Sequence, residues 1–144
     1  MTLIALNTGL RRGEITQLTW DDVNLATKNV TVRAGYAKSG KARHVPLNSE
    51  AMAVFKVWKR QHKTGRLFPL ICTAKAWGRL MADAKIENFR FHDLRHTFAS
   101  KLVMAGVDLN TVRELLGHGA LNMTQKYAHL APEHKAAAVE RLVG

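Results

Sequence analysis

A single cysteine, Cys72, stands in the 144 residues, so no internal disulfide can form and no cysteine cluster can hold a metal. Such sparse use suits a reducing cytoplasm, the compartment expected here. No apolar run approaches the roughly 20 residues that a membrane helix needs. The short apolar opening, Met1 to Leu6, has no basic flank before it and reads as a helix, not a signal peptide. Three prolines and ten glycines are scattered without a linker-like cluster, and no repeat or low-complexity stretch divides the chain. Acidic residues are scarce: 11 Asp and Glu face 22 Lys and Arg, a balance of +11 with neutral histidines. A field this positive attracts polyanions, and nucleic acid is the leading partner. An anionic membrane surface is the rival, but no lysine-rich amphipathic helix is dense enough to support it. A structural basic protein, of the ribosomal kind, is the plain alternative.

What is present fits one domain. Hydrophobic residues make up 47%, enough for a real core. Residues 2–8 read as a helix ending at Gly9, and 12–19 as a second with Ile15, Leu18 and Thr19 on one face. Trp20, Asp21 and Asp22 form a turn. The period then changes to two: Val30 and Val32 alternate with Thr31 and Arg33, and Val45 and Leu47 close a matching run. With the turn-like Lys38-Ser39-Gly40-Lys41 between them, these predict a small antiparallel hairpin or three-stranded sheet, Pro46 at an edge or strand end. The rest reads helical. Ser49 caps a helix over 50–62, Leu67 to Leu70 is an extended link, and 73–84 carries Trp77 and Leu80 on one face. Asp93 to Ala105 shows Leu94, Phe98 and Leu102 at helical spacing, with Gly106 as the stop. Asp108 caps a helix ending at Gly117, Asn122 caps a short one holding Met123, Tyr127 and Leu130, and Pro132 opens a last helix over 133–142. The fold class expected is α+β: mostly helical, with one small antiparallel sheet. Trp20, Trp58 and Trp77 read as core anchors.

Several residues could do chemistry together. Arg11 lies at the junction of two helices, His92 and Arg95 share a helix face, His118 follows a helix end and Tyr127 comes nine residues later. A phosphodiester gathers negative charge on its non-bridging oxygens in the transition state, and arginine presents a planar fork of donors to them. Histidine moves protons near neutral pH, and a tyrosine hydroxyl becomes a nucleophile once its proton is removed. Each has a plain reading beside it. Tyr127 at helical spacing with Met123 and Leu130 is otherwise a core aromatic, and His118 a cation on a helix C-terminus. His92 and His96, four apart, could hold zinc as in His-Glu-x-x-His proteases. Here the second position is Asp93, no third ligand is in place, and His96 reads as a structural or supporting partner.

The segment Thr8-Gly9-Leu10-Arg11-Arg12-Gly13-Glu14 resembles the first arginine box of tyrosine recombinases, the phage integrase family. His92-Asp93-Leu94-Arg95-His96-Thr97-Phe98-Ala99 resembles the second box, Leu115-Leu116-Gly117-His118 the third, and Thr124-Gln125-Lys126-Tyr127-Ala128-His129 the nucleophile segment. The boxes run in family order over residues 6–130. The resemblance implies that Arg11, Arg95 and His118 hold the scissile phosphate of double-stranded DNA and that Tyr127 attacks it, leaving a 3′-phosphotyrosyl link. It gives His92 the general-base role and Lys38, in the hairpin turn, the protonation of the leaving 5′-oxygen; Lys41 competes for that position. Neither metal, cofactor nor ATP is implied. Glu14 and Asp93 would orient a guanidinium or cap a helix start. Arg12 reads as surface or a backbone-phosphate contact, and His44, His62 and His134 as ordinary surface residues.

Members of the family carry an N-terminal core-binding domain, so residues 1–144 are read as the catalytic domain alone, that domain being absent from this chain. Weak, largely non-specific, salt-sensitive DNA binding is expected of it. The resemblance also implies a tetramer on DNA, with self-association through residues 133–144. Three other readings stay open: an inactive DNA-binding remnant, a type IB topoisomerase-like enzyme, and a structural basic protein.

Overall fold

The computed structural model describes residues 1–37, 40–62, 64–68, 73–131, 139–140 and 142. Lys38 and Ser39 of the expected turn, Pro69 and Leu70 of the expected link, Cys72, His134 and most of the expected helix over 133–142 lie outside these. The architecture is mostly helical around one small antiparallel sheet. Among the described residues no helix is long and apolar enough to cross a membrane.

Helix α1 (Thr2–Thr8) buries Ile4, Ala5 and Thr8 and stops at Gly9, whose φ of 64° returns its amide to Ala5 O. Helix α2 (Arg12–Gln17) opens with Glu14 in its first turn accepting from the Arg11 amide at 2.8 Å. It ends two residues earlier than the apolar spacing suggests. Leu18 turns extended, and Asp22 accepts from the Thr19 amide at 2.9 Å, starting a 3-10 turn over Trp20–Asp22. Strands β1 (Val23–Asn24), β2 (Asn29–Val32) and β3 (Arg43–Pro46) pair in that order, with Val30 opposite both Val23 and Val45. The valines turn inward, and Pro46 ends β3, an edge strand, as a residue without a donor should.

Helix α3 (Ser49–Gln61) is capped by Asn48 rather than Ser49. The Asn48 carbonyl oxygen accepts from Ala51 N at 2.9 Å, while its amide nitrogen donates to Asn7 at 2.6 Å. In helix α4 (Thr73–Asp83), Trp77 packs on Phe89 and Phe91, but Leu80 faces out at 43% exposure. The inner row of α4 therefore steps from Trp77 to half-buried Met81, four residues on. Helix α5 (Phe91–Met104) starts two residues before Asp93, because Asp93 closes the first turn by accepting from Arg90 N at 2.7 Å. Its buried stripe is also shifted. Leu94 is buried, but Phe98 and Leu102 are only half-buried, and the innermost row runs Arg95, Ala99, Val103.

Helix α6 (Leu109–Leu116) runs from the Asp108 cap to Gly117 at φ 63°. Helix α7 (Asn122–Gln125) begins after Leu121, so Asn122 is inside it; Met123 is exposed and Tyr127 lies beyond its end, before a 3-10 turn over Ala128–Leu130. The core falls into two clusters. The larger joins α1, α2, the sheet, α3 and Leu94; the smaller joins Ala99, Val103, Val112, Leu116 and Tyr127. Trp58 donates to Leu67 O at 2.6 Å and Trp77 to Phe89 O at 3.3 Å, while the buried Trp20 indole N–H has no partner among the described residues.

Gly9 combines a left-handed backbone with contact: a Cβ there would collide with the Phe98 ring. Gly9→Ala is expected to lower unfolding free energy by about 2 kcal/mol, from left-handed strain plus the displaced ring. Urea denaturation followed by circular dichroism measures it; an unchanged midpoint would show that the α1–α5 contact is slack.

Candidate active site

Two helix ends meet at one arginine. The last carbonyls of a helix have no partner within it and carry partial negative charge. Arg95, in the second turn of α5, donates from Nη1 to Gly9 O at 2.7 Å and from Nη2 to Leu116 O at 2.6 Å. It thus ties the end of α1 to the end of α6 while only 2% exposed. Burial, with Arg11 and then Arg43 acting in the same direction against Glu14, brings its pKa down to about 9. It remains a cation at neutral pH.

A second cluster turns on Glu14, also 2% exposed. Its carboxylate accepts from the Arg11 amide at 2.8 Å, from Arg11 Nη1 at 3.0 Å, and from Arg43 Nη1 and Nη2 at 3.0 and 2.8 Å. Arg43 Nε donates to Leu115 O at 3.1 Å. Burial alone would raise the Glu14 pKa, but the Arg43 fork and Arg11 hold it below its ordinary value. Arg11 and Arg43 therefore occupy fixed places, one at the entry to α2 and one between the sheet and α6.

Arg11, His92, Arg95, His118, Asn122 and Lys126 line one open cleft of about 550 Å³. Among the described residues no acidic side chain lines it. A smaller hollow of about 280 Å³ adjoins it, with Arg12 and Arg90 on its wall. His118 stands just past Gly117, and its Nδ1 lies 2.8 Å from the hydroxyl of fully buried Thr124. Burial, then Arg95, Arg11, Lys126 and Arg43, push its pKa down to about 4. The ring is therefore neutral at pH 7, and a tautomer in which Thr124 donates to Nδ1 would leave its proton on Nε2, available to an anion. His92 is exposed, and burial, Arg95, Lys126 and Arg11 outweigh Asp93 to lower its pKa as well.

Tyr127 is not among the cleft-lining residues. It is 6% exposed in the smaller core cluster, and its hydroxyl lies 2.6 Å from Nδ1 of His96. Burial raises its pKa, against the pull of Arg95, so the phenol keeps its proton. Lys126 sits over the ring face, 5.0 Å from its centroid.

Four of the six residues named from sequence thus share the cleft, the fifth lies beside it, and Lys38 lies outside the described residues. Glu14 and Asp93 both orient an arginine and close a helix start. His44 and His62 are exposed, His44 within hydrogen-bond distance of Thr31 and His62 stacked on Trp58. Among the described residues no three His, Cys, Asp or Glu side chains gather to hold a metal. Three residues were missed. Arg43 had a signal, since it lies two residues from inward Val45 on the same strand face. Thr124 and Lys126 had only their places within the nucleophile segment.

Removing the Glu14 charge leaves three guanidinium groups without their buried anion. Glu14→Gln is expected to lower unfolding free energy by about 3 kcal/mol or more. Because the folded-state pKa is lowered, this stability is present above the ordinary carboxylate value and disappears as pH falls through the folded value. Urea titrations from neutral to acid pH should therefore show wild type and variant converging; a constant gap would refute the charge origin.

The chain matches the phage integrase family over residues 1–134. It is 37% identical to the integrase of Salmonella phage P22, covering 90% of this chain and 38% of that protein. It is 32% identical to the tyrosine recombinase XerA of Pyrococcus furiosus, covering 98% of this chain and 53% of that one. The chain thus spans about half, or less, of these relatives' length. Its fold is similar to the catalytic domain of bacteriophage HP1 integrase, at a TM-score of 0.79 and 34% identity over 96% of this chain and 78% of that one. With the order of elements and the family match running together through α1 to α7, the chain belongs to the phage integrase family.

Proposed function

We propose that this chain is a site-specific DNA recombinase or integrase that cuts and rejoins duplex DNA through Tyr127. The observation that carries the reading is the cleft itself: Arg11, Arg95 and His118 face one space that, among the described residues, no acidic side chain lines, and the phenol of Tyr127 lies beside it. In this reading Arg11 and Arg95 take the non-bridging oxygens and neutral His118 donates from Nε2. His92 stands at the same phosphate. Tyr127 gives its proton to His92 as its oxygen bonds to phosphorus, the bond from phosphorus to the 5′-oxygen breaks, and Lys38 protonates that oxygen. A second 5′-hydroxyl then displaces the tyrosine. The ester keeps the bond energy, so no ATP is consumed, and the guanidinium groups carry the charge a metal would otherwise meet. The partner is double-stranded DNA, drawn by the +11 balance. Self-association through residues 133–144 and action in the cytoplasm belong to the same proposal.

Nicked duplexes with a randomised stretch around the nick provide a substrate that assumes no site. Wild-type protein should form an SDS-resistant protein–DNA product, unaffected by chelator, and Tyr127→Phe should form none. Arg95→Ala should reduce the rate by about 100-fold or more, the scale of losing one preorganised donor. A wild type with no covalent product would leave a DNA-binding remnant, and relaxation of supercoiled plasmid lacking any enriched site would favour the topoisomerase-like reading.

A further inference from the structure

The cleft is not the only place where cations gather without an anion. The hollow of about 280 Å³ beside it is walled by Arg11, Arg12, Arg90, His92 and Arg95, with Leu10 and Phe91, and among the described residues no acidic side chain lines it. We infer that this hollow is a second anion seat, in which Arg12 and Arg90 together hold the DNA backbone phosphate next to the one gripped in the cleft. The assignment rests on the recombinase reading above and adds a contact to it.

Three observations support it. First, the two spaces share a wall. Arg11, His92 and Arg95 line both, whereas Arg12 and Arg90 line the hollow alone. A DNA strand carries one phosphate per nucleotide, about 3.4 Å further along the helix axis each time. A strand with one phosphate in the cleft therefore presents its neighbour close to that wall, within reach of a long side chain.

Second, these two guanidinium groups have donors to spare. Arg12 is exposed and makes no hydrogen bond or ion pair among the described residues. Arg90 meets Asp93 through Nη2 at 3.4 Å, from a side chain that is 82% exposed. So loose a surface pair is worth little, and most of the Arg90 fork stays open to another anion. Arg11 and Arg95 differ: one is tied to Glu14, the other to Gly9 O and Leu116 O, and what they have left serves the cleft.

Third, the backbones that carry the pair are fixed while the side chains are not. Arg12 opens α2 directly after Arg11, whose amide Glu14 holds at 2.8 Å. Arg90 stands just before α5, its amide held by Asp93 at 2.7 Å, and the adjoining Phe91 packs edge-on against Trp77. Like charges collected in one hollow raise the local potential, which an arriving phosphate neutralises. The sequence leaves Arg12 between plain surface charge and a phosphate contact; the hollow gives it a place and a partner.

The test measures binding of uncut, random-sequence duplex by the Tyr127→Phe protein as salt is raised. Affinity falls with salt in proportion to the number of phosphates neutralised. Arg12→Gln and Arg90→Gln, added singly, should each flatten that dependence. Added together they should change the slope by about 0.9, the worth of one phosphate, because the pair shares it. All should unfold in urea as the parent does, since both side chains are exposed. The position cut by wild type, read by sequencing its covalent product from the nicked randomised duplexes, then fixes the two flanking phosphates. A neutral methylphosphonate at one of them should weaken binding about tenfold at low salt and cost the double variant nothing further. The assignment is overturned by a double variant with the parent's salt dependence, or by losses that add to two phosphates. It is equally overturned if methylphosphonate at both flanking positions leaves the parent unaffected, or weakens parent and double variant alike. A wild type that yields no covalent product counts against the recombinase reading instead, and the salt slopes still decide whether the two arginines share a phosphate.

Discussion

The guanidinium of Arg95 holds two helix ends together. Gly9 O and Leu116 O each carry the unpaired negative end of a helix, and the planar fork satisfies both at 2.7 and 2.6 Å. The side chain is almost wholly buried, which makes the cation expensive unless its donors are met. That expense is what makes the arrangement specific. Once α1, α5 and α6 are joined in this way, Arg11 follows α1 by three residues and His118 follows α6 by two, and both line the same cleft.

Electrostatic strain from gathering like charges is relieved at one point. Glu14 faces Arg11 and Arg43 directly and opposes the desolvation of Arg95. Arg43 extends the network to the third element, because its Nε bond to Leu115 O places β3 under the end of α6. Gly117 leaves room for this: a Cβ there would stand 2.9 Å from the Arg43 side chain. The strand that leads out of the expected hairpin turn is thus registered against the helix that presents His118.

Much of this was legible along the chain. The Gly9 stop, the helix between Asp108 and Gly117 and the valine alternation of the sheet are local signals, and local chemistry decided them. The boxes pointed to Arg11, His92, Arg95 and His118, which share the cleft, and to Tyr127 beside it. The misreadings came where a side chain serves two purposes. Asp93 reads as a helix start but closes a turn that begins two residues earlier, and Arg95 heads the row of α5 that an apolar pattern would leave out of the core. The pairings that organise the site were out of reach for another reason: 29 residues separate Glu14 from Arg43, and 31 separate His96 from Tyr127. Only the fold makes such partners neighbours.

The position of Tyr127 sets it apart from the cations. Its ring belongs to the same cluster as Ala99, Val103, Val112 and Leu116, whereas the cations stand in an open cleft. In the proposed reaction the cations would grip a phosphate while the phenol is still out of its reach. In that reaction the aromatic ring would have to leave its apolar seat before it met the phosphate, so the hold on α7 and on that seat, rather than affinity for the polymer, would set when a strand is broken.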